Sequence, residues 1–193
     1  LELTQQYAIP LQIRQVTLQR LGGESLEAVA RDARYQAYAE LNTDIVLLAH
    51  HLDDQCETLM LRLLRGAGVH GLSGMPQQRS LANSAATLLR PLLGATRAEI
   101  QCYAELRGLR WINDDSNDDV RFRRNWLRHQ LLPQIETIFP AYRQQLSQTS
   151  QHLNDAAQLL DEMAAADFVG DLTDARIDLS PLSLLNEARQ RNL

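Results

Sequence analysis

An apolar run that ends abruptly in ionisable residues is the feature that most constrains this chain. Residues 45–49 read Ile-Val-Leu-Leu-Ala, which is typical of a strand covered on both faces in a parallel sheet. His50, His51, Asp53 and Asp54 follow almost directly. Because ligands of open α/β sheets bind beyond the carboxyl ends of the strands, we expect these four side chains to lie at a crevice.

The residues after this polar group predict a helix and then a loop. Leucines at helical spacing from Asp54 onward indicate an amphipathic helix, with acid in its first turn and arginine in its last. Four glycines follow and predict a mobile glycine loop: Gly66, Gly68, Gly71 and Gly74.

Two other interpretations of the histidine and aspartate residues stay open. Asp53 or Asp54 could cap the helix while the imidazoles are solvated. Histidine and aspartate also bind zinc, but adjacent histidines on an extended backbone point to opposite faces. We therefore rank a metal site below a nucleotide or substrate site.

The flanking patterns predict an α/β domain followed by helices. We expect strands at residues 11–16 and 87–93, a helix over 26–41 and a polar loop over 77–86, and residues 109–112 are a further short apolar run. Thr96 and Glu99 form a capping box that opens a helix ending at Gly108. From Pro140 the spacing predicts one long helix with a polar outer face, typical of a linker. The expected domains are residues 1–134, α/β, and 135–193, a helical extension.

The composition indicates the cellular compartment of the protein. No apolar run reaches membrane length and no signal peptide is recognisable. Cys56 and Cys102 are isolated, which favours reduced thiols and a cytoplasmic protein over a disulfide framework.

The charge distribution argues against a general RNA-binding surface but favours a local anion site. The net charge is −5, whereas phosphate neutralisation supplies most of the affinity of such surfaces. All 19 basic residues are arginine, and four of them lie within eight positions. Arg124 and Arg128 are four apart on one helical face, suited to phosphate or carboxylate. Arg121 and Arg123 are interpreted as solvated.

Four blocks of the chain resemble one enzyme family. AHHLDDQCET (49–58) followed by LRGAGVHGLSGM (64–75) resembles the second signature of the tRNA(Ile)-lysidine synthases, members of the PP-loop ATP pyrophosphatase group. The other blocks agree in order and spacing: ESLEAVARDARY (24–35), RPLLGATRAEIQCYAELRGLRWINDDSN (90–117) and DDVRFRRNWLRHQLLP (118–133). The resemblance implies a parallel-sheet nucleotide-binding fold of the PP-loop, or HUP-like, kind.

The resemblance also implies a reaction and its partners. Such enzymes use ATP, with Mg²⁺, to adenylate the wobble cytidine of the tRNA(Ile) that carries a CAU anticodon, and free L-lysine then displaces AMP. Carried onto this sequence, it implies catalytic roles for Asp54, Arg34 and Arg124, with Asp54 also a Mg²⁺ ligand. The implied substrate-binding residues are His50, His51, Asp53, Arg128 and Asn125.

One departure from the family pattern bears on the cofactor site. The family's SGGxDS-type loop, whose amides would cradle pyrophosphate, does not occur in residues 1–193. The residues that bind the phosphates are therefore unassigned. We interpret the chain as a fragment, incomplete at its N-terminus, and expect it to bind ATP weakly and form no lysidine alone.

Alternatives remain at the level of function. A related PP-loop enzyme that thiolates tRNA would share the HHxDD block, although such chemistry usually needs further cysteines, and Cys56 and Cys102 do not form CxxC. A non-catalytic binding or assembly fragment is the second alternative. A homodimer is also left open.

Overall fold

A computed structural model describes residues 2–18, 26–168, 180 and 182–193. The chain divides into two compact units, one formed by residues 1–48 and 78–89 and the other by residues 49–77 and 90–193. Glu24 and Ser25, which begin one of the family-like blocks, lie outside the described residues.

The described part of the first unit contains a three-stranded mixed sheet and two helices. Its elements are α1 (Glu2–Gln6), α2 (Leu26–Ala39), β1 (Ile45–Leu47), β2 (Gln78–Ser80) and β3 (Thr87–Leu89). The strand order is β1-β3-β2, with β1 parallel to β3 and β2 antiparallel to it. The parallel pair and the adjacent helix confirm the α/β class.

The core of this unit lies on one side of the strands. Val46 and Leu88 are register partners and pack with Leu81 and Ala86. Tyr35 and Tyr38 of α2 pack against this group, with their rings edge to face at 5.9 Å.

The second unit is helical. Its helices are α3 (Leu52–Leu63), α4 (Val69–Leu72), α5 (Arg97–Leu106), α6 (Arg123–Trp126), α7 (Leu132–Ile138), α8 (Tyr142–Asp167) and α9 (Glu187–Asn192). Asp115–Asp118 and Leu182–Leu184 form 3₁₀ turns, and Leu127–Leu131 forms a π-helical turn between α6 and α7. Cys56, Leu132 and Tyr142 form the core where α3, α7 and α8 meet.

Several helix predictions are confirmed. The long helix begins at Tyr142, two residues after Pro140. Both hydrogen bonds of the Thr96–Glu99 capping box are present: each side chain accepts from the other residue's backbone N–H. Gly108, with φ of 61°, follows the last turn of α5. Because α8 packs against α3 and α4, it belongs to the second unit. The domain boundary between residues 134 and 135 stays a prediction.

Other element predictions are wrong. Residues 11–16 form no strand, because no described strand pairs with them, and Ile13 is 81% exposed. The loop predicted over 77–86 contains β2, which pairs with β3 through backbone bonds that its polar sequence does not announce. The glycine segment is also more regular than expected, since it forms α4.

The strand before the polar residues is shorter and less buried than predicted. It ends at Leu47, and only Val46 is buried, whereas Ile45 and Leu47 are 51% and 65% exposed. The expectation of burial on both faces is therefore wrong, because packing in the first unit covers one face of this strand among the described residues.

Candidate active site

The start of α3 is fixed by a reciprocal cap. His51 is the N-cap: its Nδ1 accepts a hydrogen bond from the Asp54 N–H at 3.4 Å, and its own N–H donates to Asp54 Oδ2 at 3.1 Å. Helix α3 thus begins at Leu52 and not at Asp54. Asp53 and Asp54 fall in its first turn, where the helix dipole stabilises negative charge.

Glu57 is the most enclosed ionisable residue near this turn. It is fully buried. Its Oε1 accepts from Arg128 Nε at 2.7 Å, and its Oε2 accepts from Arg124 Nε at 2.6 Å and Arg128 Nη2 at 3.1 Å. Two guanidiniums therefore compensate one buried carboxylate.

Asp54 faces the same arginines, because residues three apart share a helix face. Arg124 Nη2 donates to Asp54 Oδ1 at 3.2 Å, and Arg128 Nη2 lies 3.7 Å from that oxygen. We call Asp54, Glu57, Arg124 and Arg128 the charge cluster. Its formal charges cancel, and its contacts are shorter at Glu57 than at Asp54.

A widened helical turn carries the arginine side of the charge cluster. Arg124 lies in α6 and Arg128 in the π-helical turn. Leu127, buried between them, anchors the turn. Such π turns are rare and occur often at functional sites. Sequence spacing predicted the shared face but not the π turn.

Asp53 points into a separate network that joins three helices. Its Oδ1 accepts from Arg143 Nε of α8 at 2.7 Å, and its Oδ2 accepts from the Arg97 N–H at the start of α5, also at 2.7 Å. Burial alone would raise the pKa of Asp53, but the bonds from Arg97 and Arg143 outweigh it and hold the pKa below its usual range.

Arg143 is shared between two carboxylates. It also bonds to Glu136, which raises the pKa of Arg143. A cavity of about 410 Å³ opens beside this network. Its lining includes Asp53, Glu57, Arg97, Arg128, Glu136 and Arg143.

The remaining predicted residues are distributed as follows. Both hydrogen bonds from Asn125 Nδ2 end on backbone carbonyls, of Ser116 at 2.8 Å and Asp119 at 3.0 Å, so this side chain holds the aspartate turn. His50 is half-buried just before α3. Arg34 lies in the first unit, exposed on α2, where it lines a cavity of about 940 Å³. Arg121 is exposed, as predicted.

Sequence reasoning brought together Asp54, Arg124 and Arg128 but missed Glu57 and Arg143. Glu57 could have been found from its place one turn after Asp54 in the same block. Arg143 gives no sequence signal, because it reaches Asp53 across 90 positions of the chain.

The part of the chain that the structure describes contains no group of three histidine, cysteine or acidic side chains arranged to hold a metal ion. Both oxygens of Asp54 already have partners, so a Mg²⁺ ion there would have to displace one. The roles assigned to individual site residues, this metal role included, stay predictions. Nor is any helix among the described residues long and apolar enough to span a membrane.

Comparison with known proteins gives two findings. A family model described as PP-loop domain matches residues 1–135. The chain is also similar over nearly all its length to curated proteins named tRNA(Ile)-lysidine synthase. It is 51% identical to that of Nitrosomonas europaea over 187 residues, 96% of this chain and 41% of the relative.

Two further relatives carry the same name. Identity is 43% over 183 residues with the Chromobacterium violaceum protein, covering 95% of this chain and 42% of the relative. Identity is 46% over 198 residues with the Pseudomonas aeruginosa protein, covering 96% of this chain and 44% of the relative. The chain thus spans about two fifths of the length of these relatives.

Proposed function

The chain belongs to the PP-loop domain family, and from this premise we propose that it is part of an enzyme that attaches lysine to the wobble cytidine of a tRNA(Ile) with a CAU anticodon. The similarity to synthases of that name supports the substrates. ATP, accompanied by Mg²⁺, would be the activating nucleotide, and the reaction would take place in the cytoplasm.

The reaction has two steps. The 2-carbonyl oxygen of the cytidine attacks the α-phosphorus of ATP and pyrophosphate leaves. The ε-amine of lysine then attacks C2, the C–O bond to AMP breaks, and lysidine forms. Lysine must first lose a proton from its ε-ammonium, so the site has to hold a cation next to a proton acceptor.

The charge cluster suits the lysine step. Free lysine brings a carboxylate and two ammonium groups, and the cluster offers both carboxylates and guanidiniums. The observation that carries this proposal is the difference in contact length: Glu57 accepts from the Nε atoms of Arg124 and Arg128 at 2.6 and 2.7 Å and from Arg128 Nη2 at 3.1 Å, whereas the bond from Arg124 to Asp54 is 3.2 Å. Asp54 is therefore the partner that exchanges most easily, releasing Arg124 for an anion.

In this proposal Asp54 binds the ε-ammonium and orients the amine. Arg124 and Arg128 bind the lysine carboxylate or the phosphate of the departing AMP. Glu57 keeps the two guanidiniums in place. His51 and Asp53 act by fixing the first turn of α3, and Asn125 acts by holding the aspartate turn. His50 contributes to substrate binding and Arg34 to phosphate binding.

The thiolation alternative gains no support. Burial raises the pKa of Cys56 to about 12, so its thiol is protonated at neutral pH and is a poor sulfur nucleophile. Cys102 is exposed and stands apart on α5.

The experiment is a lysine-incorporation assay. The 193-residue chain and the product of the complete reading frame that contains it are each incubated with ATP, radiolabelled lysine and a CAU-bearing tRNA(Ile) transcript. We expect the complete product to incorporate one lysine for each AMP and pyrophosphate released, and to ignore a transcript with a GAU anticodon. Incorporation of sulfur instead of lysine, or ATP-independent binding without turnover, would contradict the proposal.

A conservative variant tests the arginine role. Arg124→Lys keeps the charge but loses the planar donor pair that spans Asp54 and Glu57. We expect lysine transfer to fall at least about tenfold, whereas the exposed Arg121→Lys control should retain wild-type turnover. Equal rates for the two variants would show that Arg124 contributes only diffuse charge.

A further inference from the structure

One exposed surface of the second unit combines an aromatic side chain with arginines. It forms a shallow cavity of about 390 Å³ between the end of α3 and the segment around α6. We call it the tryptophan patch. It is lined by Leu61, Leu64, Arg65, Val120, Arg121, Arg123, Trp126 and Leu127.

The patch combines apolar side chains with positively charged ones. Trp126 is 47% exposed, and Leu64 and Val120 are exposed beside it. Three of the eight lining residues are arginine and none is acidic. Asp119 neutralises Arg121, whereas Arg65 and Arg123 have no carboxylate partner in the described ranges. In a chain of net charge −5, this is a local excess of positive charge.

These features match the needs of an unpaired nucleotide. An exposed indole offers a flat face on which any base can stack, and guanidiniums bind the neighbouring phosphates. A base inside a duplex is already stacked on its neighbours and gains little from the indole. We infer that Trp126, Arg65 and Arg123 form a contact surface for single-stranded RNA, in which one base stacks on Trp126.

The choice of RNA rests on the proposed function, whose substrate is a tRNA with an unpaired anticodon loop. The position of the patch supports it. Arg123 and Trp126 belong to the same helical segment as Arg124 and Arg128, but they line the tryptophan patch while Arg124 and Arg128 bind the acids of α3. The patch and the charge cluster therefore share one helical segment, which would connect bound RNA to the cluster.

The test measures RNA binding without ATP or lysine. The full chain is titrated into a labelled stem-loop RNA with a CAU loop, and the affinity is measured at several salt concentrations. Because the chain has two tryptophans, Trp111→Phe leaves Trp126 as the only indole, and we expect loop RNA to quench its fluorescence. Trp126→Ala should weaken binding about tenfold, whereas Trp126→Phe should stay within about threefold of wild type.

The arginines are tested by the slope of log affinity against log salt. Arg65→Ala with Arg123→Ala should weaken binding and make this slope shallower by about 1.4, since each single-strand phosphate contact contributes about 0.7. The matched control is Arg107→Ala with Arg110→Ala, which removes the same charge from exposed positions at the end of α5 and beyond it. Circular dichroism checks that each variant is folded.

Several results would overturn the inference: no RNA binding, equal losses in the two double variants, unchanged affinity of Trp126→Ala, or equal affinity for a fully paired duplex. Competition by polyglutamate at equal charge would point to an acidic protein partner instead. Lysine incorporation is measured separately, with the product of the complete reading frame. Patch-dependent RNA binding without lysidine would refute the proposed function alone, and lysidine formation with an irrelevant patch would refute this inference alone.

Discussion

Replacing Glu57 by glutamine should destabilise the second unit more than any change of an exposed carboxylate. Glu57 is fully buried and accepts three hydrogen bonds from two guanidiniums. Glutamine keeps the shape, but it loses the charge and turns an N–H₂ group toward an arginine.

The expected fall in the free energy of unfolding follows from these contacts. Hydrogen bonds to charged groups contribute about 1.5–3 kcal/mol each, and breaking a fully buried ion pair costs about 3–5 kcal/mol. The side chains of Arg124 and Arg128 are 31% and 19% exposed, so water can partly replace the lost bonds. We therefore expect the free energy of unfolding to fall by about 2–4 kcal/mol.

Urea unfolding followed by circular dichroism measures this change. The matched control is Glu105→Gln, at an exposed position of α5, which should stay within about 0.5 kcal/mol of wild type. If Glu57→Gln also stays within that range, the carboxylate does not hold the two arginines, and the basis for the charge cluster is lost.

Three further predictions concern packing, thiol reactivity and pH. Gly74→Ala should lower the free energy of unfolding by roughly 2–4 kcal/mol, because Gly74 has φ of 72° and a Cβ there would lie 2.2 Å from Ser150 Oγ. Gly94→Ala, where an added Cβ has nothing within 4 Å, should leave it nearly unchanged in the same urea assay. Equal effects of the two variants would contradict the close contact between Gly74 and α8. Under native conditions a maleimide should label Cys102 and spare Cys56, because Cys56 is buried and its pKa is raised to about 12; peptide mapping that finds both labelled at one rate would contradict this burial. Asp53 has a pKa lowered from 3.8, so its ionised form stabilises the fold above about pH 4 and that contribution is lost as the pH falls through the lowered value. Asp53→Asn should therefore be less stable at neutral pH and lose less stability on acidification, and acid unfolding curves of identical steepness would refute the role of Asp53.

Local signals predicted part of this fold well. The capping box at Thr96 and Glu99, the long helix from Tyr142 and the helix after His51 all depend on residues within one or two turns of each other. The face shared by Arg124 and Arg128 was likewise visible from spacing alone. These features need no knowledge of distant parts of the chain.

The failures have a common physical cause. A strand exists only where a partner supplies backbone bonds. Residues 11–16 therefore had the pattern of a strand but form none, while the polar Gln78–Ser80 pairs with β3. The burial of Glu57 was not predicted, because it depends on arginines 67 and 71 positions away. The contact between Asp53 and Arg143 of α8 was not predicted either, because the two residues are 90 positions apart in the chain.

The role of the charge cluster in the lysine step is tested most directly by separating the two half-reactions. The product of the complete reading frame, as wild type and as Asp54→Asn, is given ATP and the CAU-bearing tRNA, and pyrophosphate release and lysine transfer are followed independently. Asp155→Asn, at an exposed position of α8, controls for the loss of one carboxylate. We expect Asp54→Asn to release pyrophosphate and accumulate adenylated tRNA, with lysine transfer at least about a hundredfold slower than wild type. Lysine transfer at the wild-type rate, or equal loss of both half-reactions in a folded variant, would contradict the assignment of Asp54 to lysine.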